Sequence, residues 1–358
     1  RKHDGSNYVI QSSYTFLDSK NRIVCPTSNN HVLMLKSTDE NGNVLPEFQK
    51  VLDIDIKAAA ETALGKKLDQ NLLSVVFDYE GNLWFTTGGF RIYPERKQQG
   101  VMGYISRSAI DSILKGEQVN LSDAVFVYEL TPGEGAENGI AASKEGAVIL
   151  TNQNCYLLRA NNGVEKVWHT PYESVGAKVS KEGDKTTGGG LAWGGGCSPS
   201  LTPNLVMFTD NSDPVRLLAL DMKTGEIETI SEKCRSTSGD YIKGTDVYYL
   251  EKRNGEDQIY YLVCYDLQKE KEDWSIELAG EWYEQNGCFW GNDLQENTYI
   301  ITYDGVQYPY DGECKSLNRV DGQYVDCTSD GKIRKLNEET GEWEEWIDCP
   351  QWLNFDQR

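Results

Sequence analysis

One short unit recurs along this chain: an acidic turn with a glycine, followed by a β-strand that alternates large residues with small ones. Asp78-Tyr79-Glu80-Gly81-Asn82-Leu83-Trp84-Phe85-Thr86-Thr87 is the clearest copy. Asp18 to Cys25, Ser143 to Leu150, Pro203 to Thr209 and Gly244 to Leu250 repeat it, and Asp330-Gly331-Lys332-Ile333 closes the series in weaker form. A turn-plus-strand unit returning at roughly 40 to 65 residues is the mark of sheets built in tandem, one per repeat.

The spacing predicts an all-β chain, a single β-propeller over residues 1–358 with six or seven blades, seven being the better fit. The 20 Tyr, 9 Trp and 34 Gly suit that class. Two short helical insertions are expected. Ile56 to Leu64 is bounded by Gly65, and Ser108 to Lys115 is capped by Ser108 and ended by Gly116. Strands are expected near 23–26, 31–36, 50–54, 147–150, 155–159 and 164–168. Ala219 to Glu226 reads as a hairpin with Lys223-Thr224-Gly225 in its turn. Thr298–Tyr303 and Gln323–Cys327 resemble inner strands, so the tail is one irregular blade or two thin ones. Asn7 to Gln11 is a candidate for closing the ring, since an open sheet edge invites pairing with other chains. No linker separates two domains.

A formal charge of −21 argues against nucleic acid, which needs clustered Lys and Arg. It leaves room for a cationic partner or bound cations, although an acidic surface mostly serves solubility. No apolar run reaches the length of a membrane span. The chain opens at Arg1 rather than Met, as a removed signal peptide or a trimmed chain would leave it. The nine Cys lie in no CxxC spacing, which disfavours zinc. For an exported protein they imply at least one disulfide and one thiol, with Cys314 and Cys327 one candidate pair. The expected location is therefore extracytoplasmic: secreted, periplasmic or at the cell surface. Asn120-Leu121-Ser122 is a lone glycosylation-type triplet.

Three constellations are candidates for a site. In Thr209-Asp210-Asn211-Ser212-Asp213-Pro214, Asp210, Asn211 and Asp213 place two carboxylates and an amide at a strand end, an oxygen cluster of the kind calcium prefers. The competing reading is an Asx-type turn whose side chains cap the local backbone. Glu137, Asn138, Asn292 and Asp293 are candidate further ligands. Gly188 to Ser198 sets six glycines around Trp193 and ends at Cys197. It lets the backbone approach a ligand or a neighbouring blade closely, and it matches neither a phosphate loop nor a nucleophile elbow. Only three histidines occur, His3, His31 and His169, and no nucleophile motif points to any of them.

Residues 78–87 resemble blades of gluconolactonase-like, streptogramin-lyase-like and quinoprotein-like propellers, and 219–226 is similar to the quinoprotein repeat. The span from Glu137 to Val215 resembles a group of bacterial propeller proteins without an assigned activity. It does so through Glu137-Asn138, Ala141 to Gly146, Val167-Trp168, Pro171-Tyr172, Gly194 to Gly196 and Phe208 to Pro214. The lactonase resemblance implies calcium held by Glu, Asn and Asp, polarising a carbonyl and activating water, with Glu137 and Asn138 mimicking part of that set. The quinoprotein resemblance lacks the adjacent Cys pair and any CxxCH haem site.

Aromatic residues crowd three stretches: 282–290, 299–310 and 343–352. Most are expected to pack between blades, while an exposed subset would stack on sugar rings or form a protein interface. Two function classes follow. The first is a binding or assembly module contacting a glycan, a small molecule, a protein of the cell envelope or copies of itself. Its ligand-binding residues would be Glu137, Asn138, Trp193 and Cys197. The alternative is a calcium-dependent lactonase-type hydrolase or lyase with an axial site. Scarce histidines and scattered carboxylates favour the first.

Overall fold

The computed structural model of the chain describes residues 14–39, 41–89, 99–136, 138–173, 197–210, 212, 215–234, 241–253, 259–280, 282–285, 287–311, 317–328 and 331–348. Among them the strands form seven four-stranded antiparallel meanders at 16–55, 71–129, 141–171, 200–234, 241–279, 283–309 and 318–348, here blades 1 to 7. Every strand pairs with the next one in sequence within its blade. This is the blade series of a β-propeller, and the tail is two blades rather than one. Asn7 to Gln11 lies outside the described residues.

Contacts divide the chain into two compact units, 1–232 with 236–238, and 233–235 with 239–358. Blades 1 to 4 belong to the first, apart from the last residues of blade 4, and blades 5 to 7 to the second.

One turn serves seven hairpins. An Asp or Thr at its first position accepts the backbone N–H of the fifth residue on its side chain, donates its own N–H to the fifth residue's O=C, and accepts the fourth residue's N–H on its O=C. The turns start at Asp18, Thr27, Asp39, Asp78, Asp293, Thr302 and Thr328. Their fourth residue is left-handed in every case: Asn21, Asn30, Gly42, Gly81, Glu296, Gly305 and Gly331. Asn and Gly tolerate that conformation, which explains why the repeat reads as an acidic residue followed by glycine or asparagine. A second turn closes the last hairpins of blades 4, 5 and 7. There Asp221, Asp266 and Asn337 each accept two backbone N–H groups through one side-chain oxygen.

The continuous apolar runs are two interleaved faces, because successive strand residues point to opposite sides. In Gly146–Leu150, Ala147 and Ile149 pack toward blade 2 with Trp84, Met102 and Tyr104. Val148 and Leu150 pack toward blade 4 with Val206, Phe208 and Leu218. Blade 2 divides the same way: Leu83 and Phe85 meet blade 1, and Trp84 meets blade 3. In the second unit Phe289 and Ile301 face blade 5, while Cys288 and Ile300 face blade 7. Blades 2, 3 and 6 are thus buried on both faces. The expected packing role of the aromatics holds for Phe289 and Tyr303, which interlock with Tyr248 and Trp274 between blades 5 and 6.

Two helices are inserted between strands. The first, α1 (Ile56–Leu64), has Asp55 as N-cap and left-handed Gly65 after its end. The second, α2 (Arg107–Leu114), is capped by Ser106, whose side chain accepts from Ala109 N. The expected cap was Ser108. The strand Val101–Ile105 runs directly into the helix, so the first available hydroxyl takes the cap and Ser108 falls in the first turn. Among the described residues no helix is long and apolar enough to cross a membrane. Cys25, Cys155 and Cys264 are buried thiols acting as small core hydrophobes. Cys314 lies outside the described residues.

Candidate functional site

Polar groups from several blades gather at two places. The first lies in the first unit, where the chain enters blade 3. Gly139 N donates to Ser198 Oγ at 2.9 Å, and Ile140 N donates to Ser74 Oγ at 3.2 Å. A Cβ on Gly139 would meet the Tyr14 ring at 3.4 Å. Segments entering blades 1, 3 and 4 therefore touch one another and the first strand of blade 2. Thr209 N donates to Cys197 Sγ at 3.4 Å, which ties Cys197 to the strand that ends at Asp210. Of the predicted residues, Asn138, Cys197 and Asp210 fall in this region. Glu137, Trp193, Asn211 and Asp213 lie outside the described residues.

Asp210 is fully buried and heavily engaged. Its Oδ1 accepts from Ser212 N at 3.0 Å, Ser212 Oγ at 2.7 Å and Arg216 N at 2.9 Å. Its Oδ2 accepts from Arg216 Nε at 2.6 Å. Burial would lower the pKa of Arg216, and the Asp210 carboxylate more than offsets it, so the guanidinium stands above its ordinary value. A fixed cation on Oδ2 opposes a divalent ion on the same oxygens, so Asp210 does not fit a calcium ligand. Its bonds are those of a capped turn. Asp293 caps its own turn through Gln295 N and Asn297 N at 2.9 and 2.8 Å, and Asn292 accepts from Thr298 Oγ1 at 2.9 Å.

Sequence reasoning missed Glu134, a fully buried carboxylate between blades 2 and 3. Thr151 Oγ1 and Asn154 Nδ2 donate to Oε1 at 2.6 and 2.8 Å. Thr131 Oγ1 and Tyr156 OH donate to Oε2 at 2.6 and 2.9 Å. Burial and the adjacent carboxylate push the Tyr156 phenol far above its usual range. His169 stacks on that phenol ring at 5.5 Å, and His31 Nδ1 lies 2.6 Å from Asp53 Oδ1. Both histidines are therefore held by neighbours within their own blades or packing layer. Among the described residues one trio of carboxylates converges, Asp246, Asp266 and Asp273, within 4.8 Å. The Lys269 ammonium already sits in it, 2.5 Å from Asp266 and 3.2 Å from Asp273.

The second place is an open cleft of about 730 Å³ between blades 6 and 7, within the range of about 300–1,000 Å³ for ligand sites. Trp343 forms an aromatic wall and Arg334 sits beside it. Asp326, itself buried, grips the guanidinium through two oxygens at 3.0 and 2.6 Å, and Asp311 takes a third bond at 2.8 Å. The Asp326 carboxylate, more than any other group, raises Arg334 above its ordinary pKa. The guanidinium carbon lies 5.4 Å over the Trp343 ring, Tyr310 meets that ring edge-on at 5.3 Å, and the indole N–H donates to Pro309 O at 3.2 Å. Glu296, Asn297 and Glu342 line the rim. At Glu296 the backbone is left-handed, with φ of 65°. The other six copies of that turn carry Asn or Gly there, so the glutamate holds a conformation that costs a side chain about 1–2 kcal/mol. Strain of this kind tends to collect where a side chain is wanted for its chemistry.

No protein-family model and no curated protein sequence matches the chain. Similar solved structures include BamB from Moraxella catarrhalis, 12% identical over 96% of this chain and 90% of that one, with a TM-score of 0.49. Sqt1 from Saccharomyces cerevisiae is 8% identical over 96% and 87%, TM-score 0.47. Apo AztD from Citrobacter koseri is 12% identical over 84% and 88%, TM-score 0.41. Likenesses this distant say nothing about ligand or reaction. The blade series itself makes this chain a β-propeller protein, and its chemistry has to be read from its own side chains.

Proposed function

We propose that this chain is an exported binding module whose ligand-contacting surface is the cleft between blades 6 and 7. The observation that carries the proposal is the preordered lining of that cleft. Trp343 is pinned by Tyr310, Arg334 and Pro309 O, and Arg334 is clamped by Asp326 and Asp311, so neither side chain has to be ordered when a ligand arrives. Binding gains most where such ordering costs are met in advance. Export places the cleft among the glycans and proteins of an envelope or an extracellular medium. The lactonase-type reading needs a cation at Asp210, and Arg216 occupies that carboxylate.

Immobilised panels of glycans and envelope proteins test the reading. The wild-type chain is expected to be retained on at least one class of ligand. Retention is expected to drop with Trp343→Ala and persist with Trp346→Ala, which alters an exposed indole at the register shift of the same strand, outside the lining of the cleft. Retention indifferent to Trp343, or none on any panel, refutes it.

A further inference from the structure

We infer that the blade 6–7 cleft takes a neutral glycan, meaning a chain of uncharged sugar rings; the inference rests on the binding-module reading above. The argument is the mixture of groups in the lining. Glu296, Glu342 and Asp311 present hydrogen-bond acceptors, and the Arg334 guanidinium presents donors between them. A guanidinium has five N–H groups, and Arg334 directs three of its bonds to Asp326 and Asp311. The hydroxyl is the common ligand group that both donates and accepts. A polyhydroxylated ring can therefore bond to carboxylate and guanidinium together.

Charged ligands do less well. A phosphate, sulfate or uronate would meet Arg334 but also three carboxylates. A lysine or arginine of a basic peptide would meet the carboxylates but also the fixed Arg334 charge. Two of the carboxylates, Glu296 and Glu342, are exposed on the rim, where an ion pair contributes only about 0–1 kcal/mol. Asp311 already pairs with Arg334. The field of the cleft thus repels anions without concentrating cations strongly. The aromatic wall supplies the remaining element. A sugar ring has an apolar face of C–H groups and a polar equator, which matches a rigid indole set beside planar polar side chains. The open form of the cleft suits an internal stretch of a longer chain, whereas a small molecule would be buried by a deeper pocket.

Affinity gel electrophoresis of the whole chain tests this, with dextran, soluble mannan, a laminarin-type β-glucan, polygalacturonate and poly-L-lysine as the embedded probes. At least one neutral polysaccharide is expected to retard migration, with a Kd changing less than about twofold between low salt and 0.5 M salt, where the Debye length has shrunk to about 4 Å. Trp343→Ala is expected to weaken that Kd about tenfold or more, equal to about 1.4 kcal/mol. Should Trp343→Ala misfold by circular dichroism, Asp311→Asn serves instead, since its side chain is 76% exposed and Arg334 keeps its Asp326 clamp. Trp346→Ala is expected to bind as wild type. Retardation by polygalacturonate or poly-L-lysine alone, abolished by salt and by Trp343→Ala, overturns the glycan class while leaving the cleft as the binding surface. Neutral-glycan binding that survives both cleft variants overturns the location. Retardation by none of the probes overturns the glycan inference, and the protein panels described above then decide the binding-module reading.

Discussion

Removing Asp78 should cost far more than removing Asp39, although the two head identical turns. In blade 2, Asp78 Oδ1 accepts from Glu80 N at 2.9 Å and Asn82 N at 2.8 Å, while Oδ2 accepts from Asn82 Nδ2 at 2.9 Å and Trp84 Nε1 at 2.8 Å. Trp84 is fully buried and Asn82 nearly so. Asp78→Ala takes the acceptor from the indole N–H of this buried tryptophan, at about 1–3 kcal/mol, and leaves the Asn82 amide short of a bond at about 1 kcal/mol more. The Glu80 N–H is exposed and regains water. We expect a loss of about 3 kcal/mol. Asp39 accepts from Asn41 N, Asn43 N and Asn43 Nδ2, all at the surface, and Asp39→Ala should cost within about 1 kcal/mol. Urea denaturation followed by far-ultraviolet circular dichroism measures both. The double variant Asp78→Ala/Trp84→Phe isolates the indole, because without an N–H to orphan the aspartate should matter about 1–2 kcal/mol less. Equal costs at positions 78 and 39, or no change in the Trp84→Phe background, would refute the reasoning.

Four further outcomes are expected. Glu134→Gln keeps shape but turns an amide N–H₂ toward hydroxyl donors, and should lower the urea midpoint by the equivalent of about 2 kcal/mol. Glu296→Gly relieves the left-handed glutamate and should stabilise the chain by about 1 kcal/mol in the same assay, while weakening ligand retention at the cleft. Chelator should leave the melting temperature unchanged, and Asp210→Ala should destabilise equally with and without it, since Arg216 and not an ion is its partner. Asp39 and Asp293 are held below the ordinary carboxyl range, chiefly by Asn43 and Asn297, and Asp221 and Asp266 by Thr224 and Lys269. Their stability is complete above the unfolded value of about 3.9 and lost as pH falls through the lower folded values, so a melting curve against pH should stay level down to about pH 5 and drop below about pH 4.

The blades were readable because their turns are local. Acceptor, glycine and first strand residue sit within five positions, and the chemistry of Asp78 or Asp39 needs nothing from elsewhere. The division of the tail was harder. The third and fourth strands of blade 6, Thr298–Ile301 and Gln307–Pro309, are so short that a whole blade fits into 283–309. Asp210 could be read as turn or metal ligand, and what favours the turn is its bond to Arg216, a partner six residues on that the local motif does not announce. The cleft was not readable as a site. Its lining comes from 296–298, 309–311, 334 and 341–343, stretches joined only by strand pairing, and the sequence gives notice of them only as a crowd of aromatics. Glu134 was hidden for the same reason: its donors lie up to 22 residues away on another blade.

The neighbour-to-neighbour pairing of every strand has a kinetic side. Each hairpin closes over a few residues, so little loop entropy is lost before its ladder forms, and contacts close in sequence favour rapid folding. A single blade buries neither face alone, so a lone hairpin should be transient until the adjacent meander arrives. Growth would then proceed blade by blade, as in linear repeat arrays where stability is a sum of units and their junctions. Among these seven, blades 1 and 2 are made first and would seal their junction around Leu83, Phe85 and Val24 before the later blades arrive.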